Sequence, residues 1–212
     1  MSLPSPFDAW YASIVGEPPP DEPLATCDAC PMCASRNFRP AVKCCTYIPA
    51  MSNFQAGRAL ASGGDSADAV RERMTQTRPR PIGLLPTLAE ERSYANERHS
   101  FGATTAVKCP FVSDHGTCRV WAYRDVTCAT WFCAHQSGPA GHALWKAAAD
   151  VLGRAEGLLA AALSEEDYVQ AGKCAETISW SQIRQLPGGE GLADLEEALI
   201  EAHARAQSHR EL

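Results

Sequence analysis

The sequence predicts a mainly α-helical single domain, 1–212, with two irregular cysteine-rich metal-binding loops and little β structure. Three observations predict it. Apolar residues recur at helical spacing over most of the chain, ten cysteines gather in stretches without periodicity, and β-like runs are short. A chain of 212 residues buries roughly 70 % of its unfolded surface, so it needs no covalent staples to have a core.

The first helix is expected at 6–15, where Phe7, Trp10, Tyr11, Ile14 and Val15 share one face, Ser5 can cap and Pro6 suits the first turn. Pro18-Pro-Pro20 ends it in a stiff connector. The segment 27–48 reads as the first metal loop, with a short strand near Lys43–Ile48. Helical elements follow over 52–97. Ser52 opens one that Gly63-Gly64 breaks, Ser66 starts a second to about Thr77, and Thr87-Leu-Ala-Glu90 has the capping-box spacing for a third. Between the last two, Arg78-Pro-Arg-Pro-Ile-Gly-Leu-Leu-Pro86 is an extended crossing.

The segment 108–135 is the second metal loop, with a β-like piece at Arg119–Tyr123. Helical packing resumes over 139–174. Leu144, Trp145, Ala148, Val151, Leu152, Ala155, Leu158, Leu159 and Ala162 make one apolar stripe, and Ser164-Glu-Glu-Asp167 caps a shorter helix to about Cys174. The C-terminal helix, 190–206, turns Leu195 and Leu199 inward. No internal repeat is visible.

A net charge of −6 disfavours nucleic acid and anionic membrane as partners. The first six residues lack a basic and an apolar region, so no signal peptide is expected, and the longest apolar run, Leu158 to Leu163, is too short to span a bilayer. A cytoplasmic address is the expectation. The cytosol keeps thiols reduced, so cysteine-dense spacing there points to metal or redox chemistry; a disulfide framework is the alternative if the chain is exported.

The first group of cysteines is Cys27-x2-Cys30-x2-Cys33, then ten residues, then Cys44-Cys45; the second is Cys109-x8-Cys118-x9-Cys128-x4-Cys133. A structural zinc usually draws two ligands from each of two knuckles. Three thiolates from one tight loop with a distant fourth is how [4Fe–4S] cubanes are held, and Pro31 stiffens this turn. One or two [4Fe–4S] clusters are therefore expected, with zinc as the alternative. Neighbouring side chains of an extended segment point to opposite faces, so Cys44 and Cys45 either serve two centres or divide between ligand and core. The four cysteines of the second group suffice for a tetrathiolate site. Cys174 stands apart on a helix.

Arg119 and Arg124 lie in the second loop and could offset the negative charge of a cluster, or make ordinary ion pairs with Asp125 or Asp114. Trp121, Tyr123, Trp131 and Phe132 are expected to wall the site from water. His115 and His135 are candidates for the second shell or the surface rather than ligands. No P-loop, dinucleotide fingerprint, H-E-x-x-H, nucleophile elbow or C-x3-C-x2-C motif is present.

Lys108-Cys-Pro-Phe-Val112, then Gly116-Thr-Cys-Arg-Val-Trp121, then Tyr123-Arg-Asp125 and Cys128, resembles the signature of the YkgJ-like cysteine-cluster family, described as zinc- or iron-chelating proteins. In that pattern a C-P-F/L segment precedes C-x-I/V-Y/W and R-P-x-x-C, and the N-terminal half carries a compact cysteine run ending in Cys-Cys. The resemblance covers 27–48 and 108–133. The chain departs from it by an insertion before Cys44-Cys45 and by Asp125 in place of proline. It implies metal chelation, and through relatives such as the flagellin lysine methylases it extends to modification enzymes, although no motif for a methyl donor is present.

Three functions compete at this point. One is a redox or metal-chelating protein with an unidentified redox partner. The second is a cluster-dependent enzyme acting on a protein or a small molecule. The third is a zinc-stapled interaction module.

Overall fold

The computed structural model describes residues 3–27, 30–34 and 37–210; residues 28–29 and 35–36, within the loop expected over 27–48, and both chain ends lie outside it. It is mainly α. Among the described residues, α1 spans Phe7–Val15, α2 Asn53–Ser62, α3 Gly64–Gln76, α4 Leu88–Glu97, α5 Val126–Thr130, α6 Gly138–Ala162, α7 Tyr168–Thr177, α8 Trp180–Arg184 and α9 Ala193–Ser208. The strands are β1, Met51–Ser52, and β2, Gly83–Leu84, paired antiparallel with Met51 opposite Leu84. No helix among them is long and apolar enough to cross a membrane.

Two apolar cores share α2. The larger gathers the buried faces of α1, α6, α8 and α9 with Phe54 from α2. Aromatic rings fill it: Trp10 lies 5.7 Å from Phe7 and 6.1 Å from Trp180, and Trp145 lies 4.5 Å from Phe132. The smaller core joins Ala56 and Ala59 of α2 to Ala69, Val70, Leu84, Met51, Phe111 and Val120. α2 crosses α7 at Gly57 and Gly172. A Cβ at Gly57 would stand 1.5 Å from the Tyr168 carbonyl oxygen, so only glycine lets these backbones meet.

Most local expectations hold, and the differences have causes. Ser5 does not cap α1: Pro6 occupies the N-cap position, and the Ser5 carbonyl instead accepts from Arg58. Ser52 precedes α2, but its hydroxyl donates to the buried Glu156 at 2.9 Å. α3 starts at Gly64 rather than Ser66, whose hydroxyl donates to the Arg119 carbonyl. On α6 the stripe is buried except for Leu158, which is partly covered, and Ala162, which is exposed at the helix end.

No strand forms at Lys43–Ile48, because turn hydrogen bonds such as Cys45 N to Val42 O (2.8 Å) consume its backbone. Arg119–Tyr123 gives a bridge at Cys118 and a 3-10 turn, Trp121–Tyr123. Asn53, wholly buried, donates from Nδ2 to Ala160 O and Leu163 O, closing carbonyls that the end of α6 leaves unpaired.

The capping box at Thr87 and Glu90 forms as expected, and Glu90 has a second duty. Both its oxygens accept from the buried Arg73, at 2.6 and 2.8 Å, and this hydrogen bonding, against the cost of burial, lowers the carboxyl to a pKa of about 2. A depressed carboxylate contributes stability above its unfolded pKa and loses it as pH falls from about 4.5 towards 2. Glu90→Gln is therefore expected to cost about 1–2 kcal/mol at neutral pH, after allowance for solvent screening. The wild-type advantage, read from urea midpoints, should shrink steadily below pH 4.5; a difference independent of pH would contradict this account.

Candidate metal centre

Two loops distant in sequence are pinned together by backbone. The Cys109 amide donates to the Cys45 carbonyl at 2.8 Å, and the Arg39 amide donates to Gly102 O at 2.8 Å. The Gly102 amide returns a bond to Thr46 Oγ1 at 2.9 Å. Gly102 has φ +73°, and a Cβ there would lie 2.0 Å from the Phe38 ring, so this junction requires glycine on both counts.

Around the junction lies a cavity of about 350 Å³. Cys27, Cys30, Cys44, Cys45, Cys109, Cys118, Cys128 and Cys133 line it, which is eight of the ten cysteines. Cys33 does not: the 3-10 turn Pro31–Ala34, closed by Cys33 N to Cys30 O at 3.1 Å, carries it off the cavity wall, still beside Cys30. Cys174 sits on α7, where Gln170 Nε2 contacts its sulfur at 3.6 Å. An adjoining cavity of about 430 Å³ shares Cys27, Cys44, Cys45 and Cys118.

Each loop supplies its thiols through a local device. Lys43 adopts φ +51°, and its Nζ donates to Cys27 O at 2.7 Å, holding the two ends of the first loop together. In the second loop, Val112 bridges to Cys118 and the Arg119 amide donates to Phe111 O. Asp125 is an N-cap: its Oδ1 accepts from the Cys128 amide at 3.1 Å and starts α5. α5 is fastened to α6 by Glu156, whose Oε2 accepts from the Val126 amide at 3.0 Å. Burial lifts Glu156 to a pKa of about 8 and also raises Asp125.

The arginines separate. Arg124 is buried on the cavity wall, its guanidinium carbon 3.5 Å from the centroid of the Trp121 ring and its Nε donating to Trp121 O. Arg119 is drawn off the cavity wall, pairing with Asp65 at 2.8 Å and Glu72 at 2.5 Å on α3, so its ion pair goes to neither Asp114 nor Asp125. Lys43, which the sequence reading passed over, lines the cavity; its position before Cys44-Cys45 was the available signal.

Trp121, Tyr123 and Trp131 do wall the site, joined by Phe38 and Phe101; Phe101 lies 5.9 Å from Phe38 and 5.8 Å from Trp131. Phe132 instead packs on Trp145 in the larger core. His115 is exposed, and His135 sits between Phe132 and His142 beside Glu22.

The thiols are unequal. Burial raises Cys27 to about 11 and Cys109 to about 12, and pushes Cys128 well above the ordinary range. Cys44 goes the other way, to about 7, chiefly because it shares a hydrogen bond with Cys45, which is raised by the same bond. Among the described residues no group of three or more His, Cys, Asp or Glu side chains stands in a geometry that could hold a metal ion. In the reduced chain, Cys44 is expected to alkylate ahead of Cys45, Cys109 and Cys128 near neutral pH. Timed iodoacetamide labelling with peptide mass spectrometry reads this directly, and equal labelling of Cys44 and Cys45 would refute it.

Compared with known proteins, the chain matches no protein-family model, no curated protein and no solved structure.

Proposed function

We propose that this chain is an iron–sulfur protein with a redox or cluster-dependent role, its metal held in the cavity between the two cysteine loops. The observation that carries the reading is the convergence of eight thiols, from segments more than sixty residues apart, on one cavity of about 350 Å³. Thiolates are the ligands that iron–sulfur clusters take, and such clusters supply one-electron transfer.

The form of the site favours a multinuclear centre over a single zinc ion. A zinc at 2.3 Å from each of four sulfurs draws them to about 3.8 Å from one another, onto a point. Here the thiols surround an open space, and in this reading their side chains turn inward by rotation about χ1 when metal enters. Arg124 and Lys43 bring positive charge to a centre that four thiolates would leave negative. Burial holds several thiols in the neutral form, so metal loading releases protons and strengthens as pH rises. Trp121 and Trp131 are both exposed at the cavity edge and offer a redox partner a short approach.

Anaerobic purification should yield a brown protein with iron and acid-labile sulfide in equal amounts. Zinc alone, without sulfide, would overturn the proposal in favour of a structural module. Cys30→Ser is expected to lose metal and much of the folded near-UV signal together, since metal binding and loop ordering are one equilibrium. Retention of both would remove Cys30 from the site.

A further inference from the structure

The eight cavity thiols do not form one undifferentiated shell, and their order around the junction divides them. We infer, building on the iron–sulfur reading, that the chain holds two clusters side by side, one on Cys27, Cys30, Cys44 and Cys133 and the other on Cys45, Cys109, Cys118 and Cys128. The Cys44–Cys45 peptide is the wall between them. Each set supplies the four thiolates that a cubane needs.

Packing separates the sets first. Cys109 belongs to the smaller core, and Cys45 and Cys118 pack against that same core. Cys133 packs against the larger one. The backbone agrees: the Cys45 carbonyl takes the Cys109 amide, while the Cys27 carbonyl takes Lys43 Nζ, one residue before Cys44. Lys43, before the pair, thus ties back into its own loop, while Cys45 ties to the second.

Electrostatic neighbours follow the same division. Cys27 feels Cys44 and Cys30, and Cys133 feels Cys30 and Cys44. Cys45 feels Cys109 and Cys118, and so does Cys128. The sets touch along one seam, where Cys44 meets Cys45 and Cys118. Cys33 has Cys30 and Cys44 as neighbours, and the C-x2-C-x2-C spacing also places it with Cys27 and Cys30; it is left out of the first set only because it stands off the cavity wall.

The test is anaerobic reconstitution of the full chain with ferrous iron and sulfide, followed by analysis of both. About eight iron and eight sulfide per chain are expected, two cubanes' worth. Cys128→Ser and Cys133→Ser should each keep about half, the double variant essentially none, and Cys33→Ser the full complement. About four iron and four sulfide in the wild type would overturn the two-centre assignment while leaving the iron–sulfur reading in place. A double variant that still holds half would overturn the grouping. Iron or zinc without sulfide in every preparation would instead overturn the underlying reading.

Wild-type protein gives a readout that does not depend on variants folding. Full reduction by dithionite should produce an EPR spectrum split and broadened by two neighbouring paramagnets. A single uncoupled signal from the fully reduced, fully loaded chain would refute adjacency across the Cys44–Cys45 peptide.

Discussion

The site depends on one backbone hydrogen bond, from the Cys109 amide to the Cys45 carbonyl at 2.8 Å. The two cysteine segments have few regular hydrogen bonds of their own. A buried amide or carbonyl without a partner is costly, so each loop completes its pairing by borrowing from the other. Cys45 and Cys109 are thereby in register, and the thiols on either side of them fall around a shared space. The neighbouring exchange between Arg39, Gly102 and Thr46 repeats the device one layer away, where the Phe38, Phe101 and Trp131 rings close the wall.

The helical frame makes that junction rigid. α2 is the element common to both cores, and the glycine crossing with α7 brings it close enough to serve each. From this frame the second loop is positioned by buried polar groups rather than by apolar contact alone. Glu156 on α6 accepts from Ser52 ahead of α2 and from Val126 at the start of α5, so one carboxyl joins three elements. Its pKa of about 8 means that it serves largely as a neutral acid at physiological pH, which avoids placing a second full negative charge beside Asp125.

The sequence carried the fold more readily than the site. The long helices were legible because apolar periodicity and caps coincide, as at Thr87-x-x-Glu90 and Asp167. α8 carries the same signal, Ser179-x-x-Gln182, but five residues are too few to show a period. In the site, spacing identified the thiol-rich loops and could not say how they face each other. C-x2-C-x2-C suggested three equivalent thiols, whereas the turn at Pro31–Ala34 turns Cys33 out. Arg119 and Arg124 looked alike in sequence, and only the placement of α3 shows that Asp65 and Glu72 capture the former. The first outcome depends on a local turn and the second on a tertiary neighbour, and spacing alone encodes neither.

The balance of charge explains why so many thiols can share one buried space at all. Eight thiolates together would repel strongly in a medium of low dielectric, and Lys43 and Arg124 bring only two opposing charges to the wall. The raised Cys27, Cys109 and Cys128 show the resolution available to the metal-free chain, which is to keep its thiols protonated. Cys44 is the exception, and it is the residue whose hydrogen-bonded neighbour lies across the proposed seam. The Cys44–Cys45 hydrogen bond lets the pair share one proton, at the junction that the Cys45–Cys109 backbone bond holds in register.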